Sequence, residues 1–114
     1  MVITRTPLRI SFFGGGTDYP VWYRKHGGAV LSTTIDKYNY ITVRRIPPFF
    51  DFHTHVVWSQ IEKVNHVDEI VHPSVRETIK FANMQKERLG IHYYGDVPSR
   101  SGIGSSSSFT VGFL

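Results

Sequence analysis

The 114-residue sequence contains no cysteine, which excludes disulfides, thiolate metal sites and a cysteine nucleophile. It has no apolar run near the roughly 20 residues that a membrane-spanning helix needs. Its start, Met1-Val2-Ile3-Thr4-Arg5-Thr6-Pro7, lacks the layout of a secretory signal, because no basic stretch precedes a long apolar one and Pro7 and Arg9 interrupt. A cytoplasmic location with no membrane partner is therefore expected. There is little charge of one sign. Thirteen Lys/Arg against nine Asp/Glu leave a formal charge of +4, which favours anionic ligands such as nucleotides and sugar phosphates. The excess is too diffuse to predict nucleic acid as a partner. Arg44-Arg45 reads as a short solvated patch, and the basic residues are not expected to cluster with aromatics as a base-stacking platform requires. His53 and His55 lie two apart and would share a strand face. No third ligand at a recognisable spacing accompanies them, so no metal pair is assigned there.

What is present suits one soluble globular domain, with 40% hydrophobic and 14% aromatic residues. Leu8–Phe12 alternates apolar and polar residues, as a strand does. Gly14-Gly15-Gly16 follow, then a short helix that Thr17 or Asp18 could cap, with Pro20 in its first turn and Gly27-Gly28 at its end. Ala29–Ile35 and Tyr38–Ile46 are rich in β-branched and aromatic residues and read as two strands joined by a hairpin at Asp36-Lys37. Pro47-Pro48 ends the second, and His55–Gln60 reads as another strand. Pro73 opens the clearest helix, where Val75, Ile79, Ala82, Lys86 and Leu89 recur at near-helical spacing up to Gly90. Ile91–Tyr94 is then a strand, Gly95–Gly104 a loop, and a last helix starts near Ser105. That helix meets no stop signal before Leu114, so the chain is expected to be part of a longer protein.

The segment Pro98-Ser99-Arg100-Ser101-Gly102-Ile103-Gly104-Ser105-Ser106-Ser107-Ser108 joins a predicted strand to a predicted helix. Glycines let the backbone approach a ligand closely and reach positive φ. The first turn of the helix adds unpaired N–H donors and the positive end of its dipole. Serine hydroxyls can bond a phosphate oxygen or a magnesium ion. A Gly/Ser turn with a serine cap fits the same spacing. The segment is not a Walker loop, since Gly-Lys-Ser/Thr is missing, nor a dinucleotide fingerprint, since the third glycine is missing.

At Pro98, Gly102, Gly104, Ser105 and Ser106 this segment resembles the ATP motif of the GHMP kinases, Pro-x-x-x-Gly-Leu-Gly-Ser-Ser. Ile103 stands where Leu is usual, and Ser107-Ser108 replace small alanines. The resemblance implies that Pro98, Ser101, Gly102, Ile103, Gly104, Ser105, Ser106 and Ser107 bind ATP and that Ser106 helps hold Mg2+. Pro7–Tyr19 is similar to the first motif of the sugar kinases in this superfamily, with the arginine at 9, the glycine at 14 and Thr17-Asp18-Tyr19 coinciding. By that resemblance Asp18 bonds sugar hydroxyls, Gly14, Gly15, Gly16 and Thr17 line the substrate site, and Arg9 acts as an electrostatic catalyst. Gly15-Gly16 replace the Glu-His of galactokinases, which argues against galactose and leaves room for a larger or phosphorylated sugar.

Further segments, among them Gly27–Leu31, Ile35–Tyr38, Trp58–Gln60, Val67–Ile70, His72-Pro73 and Asp96–Arg100, resemble the D-glycero-D-manno-heptose 7-phosphate kinases. The implied activity is transfer of the γ-phosphoryl group of ATP to the anomeric hydroxyl of a heptose 7-phosphate. Kinases of another sugar, fucose-like or hexose, and a non-catalytic nucleotide-binding module are the alternatives. Arg5, Lys37 and Arg100 are candidates for the distal phosphate by charge alone. The implied fold is α+β: a ribosomal-protein-like mixed sheet with helices packed on one side, here the truncated amino-terminal part of a GHMP kinase ATP/sugar-binding domain. The carboxyl-terminal domain, a general base and a third Gly-rich motif would lie past residue 114, and residues 1–114 alone are expected to be inactive.

Overall fold

The computed structural model describes residues 1–98 and 101–114. The described elements run β1 (Val2–Phe13), a 3-10 turn (Gly15–Asp18), α1 (Pro20–His26), β2 (Leu31–Arg45), β3 (Thr54–Val57) and β4 (Ile61–Val64). A second 3-10 turn (Val67–Glu69), α2 (Pro73–Phe81), β5 (Leu89–Gly95) and α3 (Ser105–Phe113) complete the order. The strands form one sheet in the order β1-β2-β5-β3-β4. Only the β3–β5 pair is parallel, so the sheet is mixed.

Side chains alternate across a strand. Ile41, Leu89, Ile91 and Val56 therefore point to one face, where Val75 and Ile79 of α2, Phe109 of α3 and Ile70 cover them. Both long helices lie on that side, as the α+β expectation requires. The last helix approaches β1 closely. A Cβ on Gly112 would fall 2.5 Å from Thr6 Oγ1, and Thr4 Oγ1 donates to the Gly112 carbonyl at 2.6 Å. The glycine is what lets α3 sit on the sheet.

Three expectations need correction. The hairpin at Asp36-Lys37 is absent, and β2 runs unbroken from Leu31 to Arg45. A two-residue hairpin wants glycine at positive φ in its second position, where Lys37 stands, and neither residue has positive φ. The pair forms a bulge instead. Pro7 pairs with Tyr38 and Arg9 with Thr34, so buried Leu8 alone faces residues 35–37. Next, α2 stops at Phe81, and Leu89 begins β5. Asn83 takes the left-handed conformation at φ 55. The Asn83 N–H donates to Lys80 O and the Met84 N–H to Ile79 O, each at 3.0 Å. That is a Schellman stop with asparagine in the usual glycine position. Finally, His55–Gln60 is not one strand. The chain turns at Trp58–Gln60, where the Trp58 N–H donates to Gln60 O at 2.9 Å, and returns as β4.

The face of the sheet opposite the helices collects residues that the sequence separates. The Arg5 guanidinium lies 4.4 Å from the Tyr38 ring centre, Tyr38 packs near Tyr40, and Lys63 lies over Phe52. Basic and aromatic side chains are thus adjacent in space, although they are not grouped along the sequence. His53 directly precedes β3, its N–H donating to Val64 O at 2.9 Å. The His55 ring meets His92 edge-on at 5.6 Å. Burial first, then His92, Lys63 and Arg44, lower the His55 pKa below its usual value.

Candidate active site

The first turn of α3 is the centre of the candidate site. Gly102 and Gly104 hold φ of 75 and 74, conformations that a side chain resists. Gly104 occupies the cap position and no side chain caps the helix. The first intrahelical bond near it runs from the Ser108 N–H to Gly104 O at 2.9 Å. The amides of Ser105, Ser106 and Ser107 precede that bond, so they remain available to an anion at the positive end of a nine-residue helix. The serine cap of the alternative Gly/Ser-turn reading is absent. The Ser107 hydroxyl turns back to Gly104 O at 3.0 Å, whereas Ser106 stays exposed. Ser101 and Gly102 are exposed, Ile103 is half-buried, and Pro98 ends the described part of the preceding segment. Ser99 and Arg100 lie outside the described residues.

Two hollows of about 240 Å³ flank this turn. On one side Trp58, His72, Ser74, Tyr93 and Phe109 enclose a largely apolar space that reaches Ser105 and Ser106. On the other side Thr6, Pro7, Arg9 and Thr34 meet Gly104 and Ser107. Arg9 is bound to the loop directly. Its N–H donates to Ile103 O at 3.1 Å, and a Cβ on Gly104 would fall 2.9 Å from its Cγ. Its guanidinium donates to Ser11 Oγ. The structure therefore brings Arg9 and the Gly102–Ser107 segment together.

Asp18 lies elsewhere. It lines a third hollow of about 430 Å³ with Thr17, Tyr23 and residues 27–30. Arg9 and the end of β1 at Phe13 are separated by four residues of strand, about 13 Å at roughly 3.3 Å per residue. Asp18 is solvent-exposed, and neither its 3-10 turn nor α1 contains a buried residue, so neither element puts core residues between the two hollows. Asp18 does not cap α1, whose cap is Tyr19 without a side-chain bond, and it makes no ion pair among the described residues. Thr17 serves the loop itself: its hydroxyl donates to Gly14 O at 2.7 Å and lies 3.3 Å from Ala29 O. Gly14 has φ 86 and leaves no room for a Cβ, whereas Gly15 and Gly16 face open space. Arg5 packs on Tyr38, and Lys37 is exposed in the β2 bulge.

The aromatic hollow was not foreseen from the sequence. The His72 ring lies 4.8 Å from Trp58 and 4.7 Å from Phe109. Its Nδ1 accepts the Val75 N–H at 3.4 Å and so caps α2. Burial depresses the His72 pKa, with Glu62 pulling more weakly the other way. Burial raises that of Tyr93, keeping its hydroxyl a proton donor. The Glu62 carboxylate is itself buried and accepts from Trp58 Nε1 at 2.8 Å and from the Val71 N–H at 2.6 Å.

This combination, a mixed sheet with an uncapped helix mouth between a strand-borne arginine and an aromatic hollow, has the fold of the GHMP kinases. The chain is 30% identical over 119 residues to the D-glycero-alpha-D-manno-heptose 7-phosphate kinase of Campylobacter jejuni, covering 97% of this chain and 35% of that protein. It superposes on a D-glycero-D-manno-heptose 1-phosphate kinase from Bacteroides thetaiotaomicron with a TM-score of 0.80 and 22% identity, over 100% of this chain and 40% of that one. The Methanococcus jannaschii mevalonate kinase matches at a TM-score of 0.69 and 18% identity, over 98% of this chain and 38% of that one. The chain thus spans about a third of the length of the curated relative it matches. No family model matches it. No described helix is long and apolar enough to cross a membrane.

Proposed function

We propose that residues 1–114 are the amino-terminal part of the ATP- and sugar-binding domain of a small-molecule kinase. Its reaction is transfer of the γ-phosphoryl group of ATP to the anomeric hydroxyl of a heptose 7-phosphate. The observation that carries this reading is the junction of Arg9 with Ile103 and Gly104. It sets the strand of the sugar motif against the loop of the phosphate motif. The Campylobacter relative is a heptose 7-phosphate kinase, and its substrate is the one carried over here.

Residues fit the two groups in distinct ways. The amides of residues 105–107 would take phosphate oxygens at the helix mouth, and the hollow of Trp58, His72, Tyr93 and Phe109 would take the flat base. Ser106 offers an exposed hydroxyl to magnesium, an ion that keeps several waters and needs few protein ligands beside phosphate oxygens. Among the described residues no group of three or more carboxylates and imidazoles provides a dedicated metal cage. Bound magnesium would offset phosphate charge. Arg9 stabilises charge on the transferring group from the opposite hollow, because a guanidinium keeps its proton at any working pH. Asp18 accepts hydroxyl hydrogen bonds from the sugar and orients it.

The test is phosphorylation by the full-length protein across a panel of heptose 7-phosphate, fucose, galactose and mannose, followed by 31P NMR. We expect turnover with heptose 7-phosphate and a loss of about 100- to 1000-fold in kcat/KM for Arg9→Ala. Turnover of fucose or a hexose instead would reassign the substrate. Full function in Asp18→Asn with no turnover of any sugar would favour the non-catalytic nucleotide-binding module.

A further inference from the structure

Asn39 is a polar side chain with 1% exposure, set in β2 beneath the start of α3. A buried amide survives there only if its donor and acceptor are both matched. They are. Asn39 Nδ2 donates to the Ser105 carbonyl at 3.0 Å, and Asn39 Oδ1 accepts from the Tyr93 hydroxyl at 3.0 Å. The adjoining residue of β5 is kept clear for this pair: a Cβ on Gly95 would fall 2.7 Å from the Tyr93 hydroxyl and 3.1 Å from Asn39 Oδ1.

The two bonds end at different parts of the candidate site. Tyr93 is a wall of the aromatic hollow and meets Phe109 edge-on at 5.2 Å. Ser105 opens α3, and its carbonyl belongs to the peptide group that carries the Ser106 N–H. A trans peptide is planar, with its C=O and N–H pointing in opposite directions. Holding the Ser105 carbonyl down toward β2 therefore aims the Ser106 amide outward from the helix mouth. Because α3 has no side-chain cap, no cap oxygen occupies that amide, and the Asn39 bond holds the peptide group that carries it.

We propose that Asn39 is a positioning residue that ties the base hollow to the phosphate turn. It touches neither nucleotide nor sugar. It acts through the Ser106 amide on one side and the Tyr93 ring on the other. This inference rests on the phosphate-binding reading of that turn.

The experiment measures binding of ATP, inorganic tripolyphosphate and adenosine to the full-length protein, with Tm recorded for each variant. Asn39→Leu removes both bonds. Asn39→Asp keeps the acceptor for Tyr93 but loses the donor to Ser105, and Tyr93→Phe removes one hydroxyl while leaving Asn39 in place. If Asn39→Leu fails to fold, the other two decide. The expected result is about tenfold weaker tripolyphosphate and ATP binding in Asn39→Asp, with adenosine binding unchanged. Tyr93→Phe should weaken ATP by a few-fold, and its effect should not add to that of Asn39→Leu. Variants that melt lower yet keep the wild-type ratio of tripolyphosphate to adenosine affinity would overturn the proposal and leave Asn39 a packing residue. Failure of the wild-type protein to bind either ATP or tripolyphosphate would remove the kinase reading itself.

Discussion

The two ends of the molecule are built differently. Around α3, the loop rests on a packed core: Ile41, Ile91, Val75 and Phe109 are buried, and Asn39, Tyr93 and Arg9 bond or pack against the turn. Around Asp18, no residue of the 3-10 turn or α1 is buried, and Phe12, Phe13, Val21 and Leu31 are exposed. There the shape comes from local backbone bonds and from glycines. The α3 end is thus fixed by tertiary packing. The Asp18 end is fixed by chain geometry and has little core to lend it stiffness. Substitutions at the two ends should separate accordingly.

Gly14→Ala should have the largest effect. The new Cβ would sit 1.9 Å from the Ala29 carbonyl oxygen at a φ of 86, so the 14–18 loop must move. A shift near 1 Å in substrate position costs about 100-fold in turnover. We expect that loss in sugar phosphorylation by the full-length protein, with ATP affinity within about twofold of wild type if the two ends are independent. Gly15→Ala meets open space and should be tolerated in the same assay. Equal damage from both would show that the loop depends on flexibility and not on the fit at Gly14.

Gly112→Ala probes the opposite end and should come next. Its Cβ would press on Thr6 and Thr4 across a helix–strand contact, costing about 1–3 kcal/mol of stability by overpacking. Thermal melting should show the loss. If the α3 packing sets the phosphate turn, ATP affinity should fall with it, while the sugar KM stays unchanged.

The smallest effect is on pH. His72 titrates at the ordinary 6.5 when unfolded and lower when folded, because burial disfavours its charged form. Its contribution to stability is therefore complete above pH 6.5, is lost as the pH falls through 6.5 toward the folded value, and levels off beneath it. His72→Asn keeps a good helix cap and removes the titration. That part of the acid-side decline in Tm should vanish in the variant, and its persistence would assign it to another group, His55 being the next candidate.

Much of the site was legible because it is local. Gly102, Gly104 and the serines after them announce a tight turn into a helix, and the turn lies there. The arginine at 9 was legible from its motif, but its contact with Ile103 spans the chain and no spacing rule predicts it. The aromatic hollow drew Trp58, His72, Tyr93 and Phe109 from four separate elements and loops. Each reads alone as an ordinary core or surface residue. The fold failed to read where a residue did another's job. Asn83 stopped a helix that glycine was expected to stop, and Asp36-Lys37 bulged a strand where a turn was expected. The bulge depends on its partner strand, since it is Leu8 that those residues face.

The proposed role of the open first turn of α3 is to receive phosphate. Backbone amide NMR of the 15N-labelled full-length protein during titration with Mg-ATP tests it most directly. If phosphate sits at that turn, the largest shifts fall on Gly104, Ser105, Ser106 and Ser107, with the Trp58 indole moving alongside. ATP that binds while those four amides stay still would contradict it.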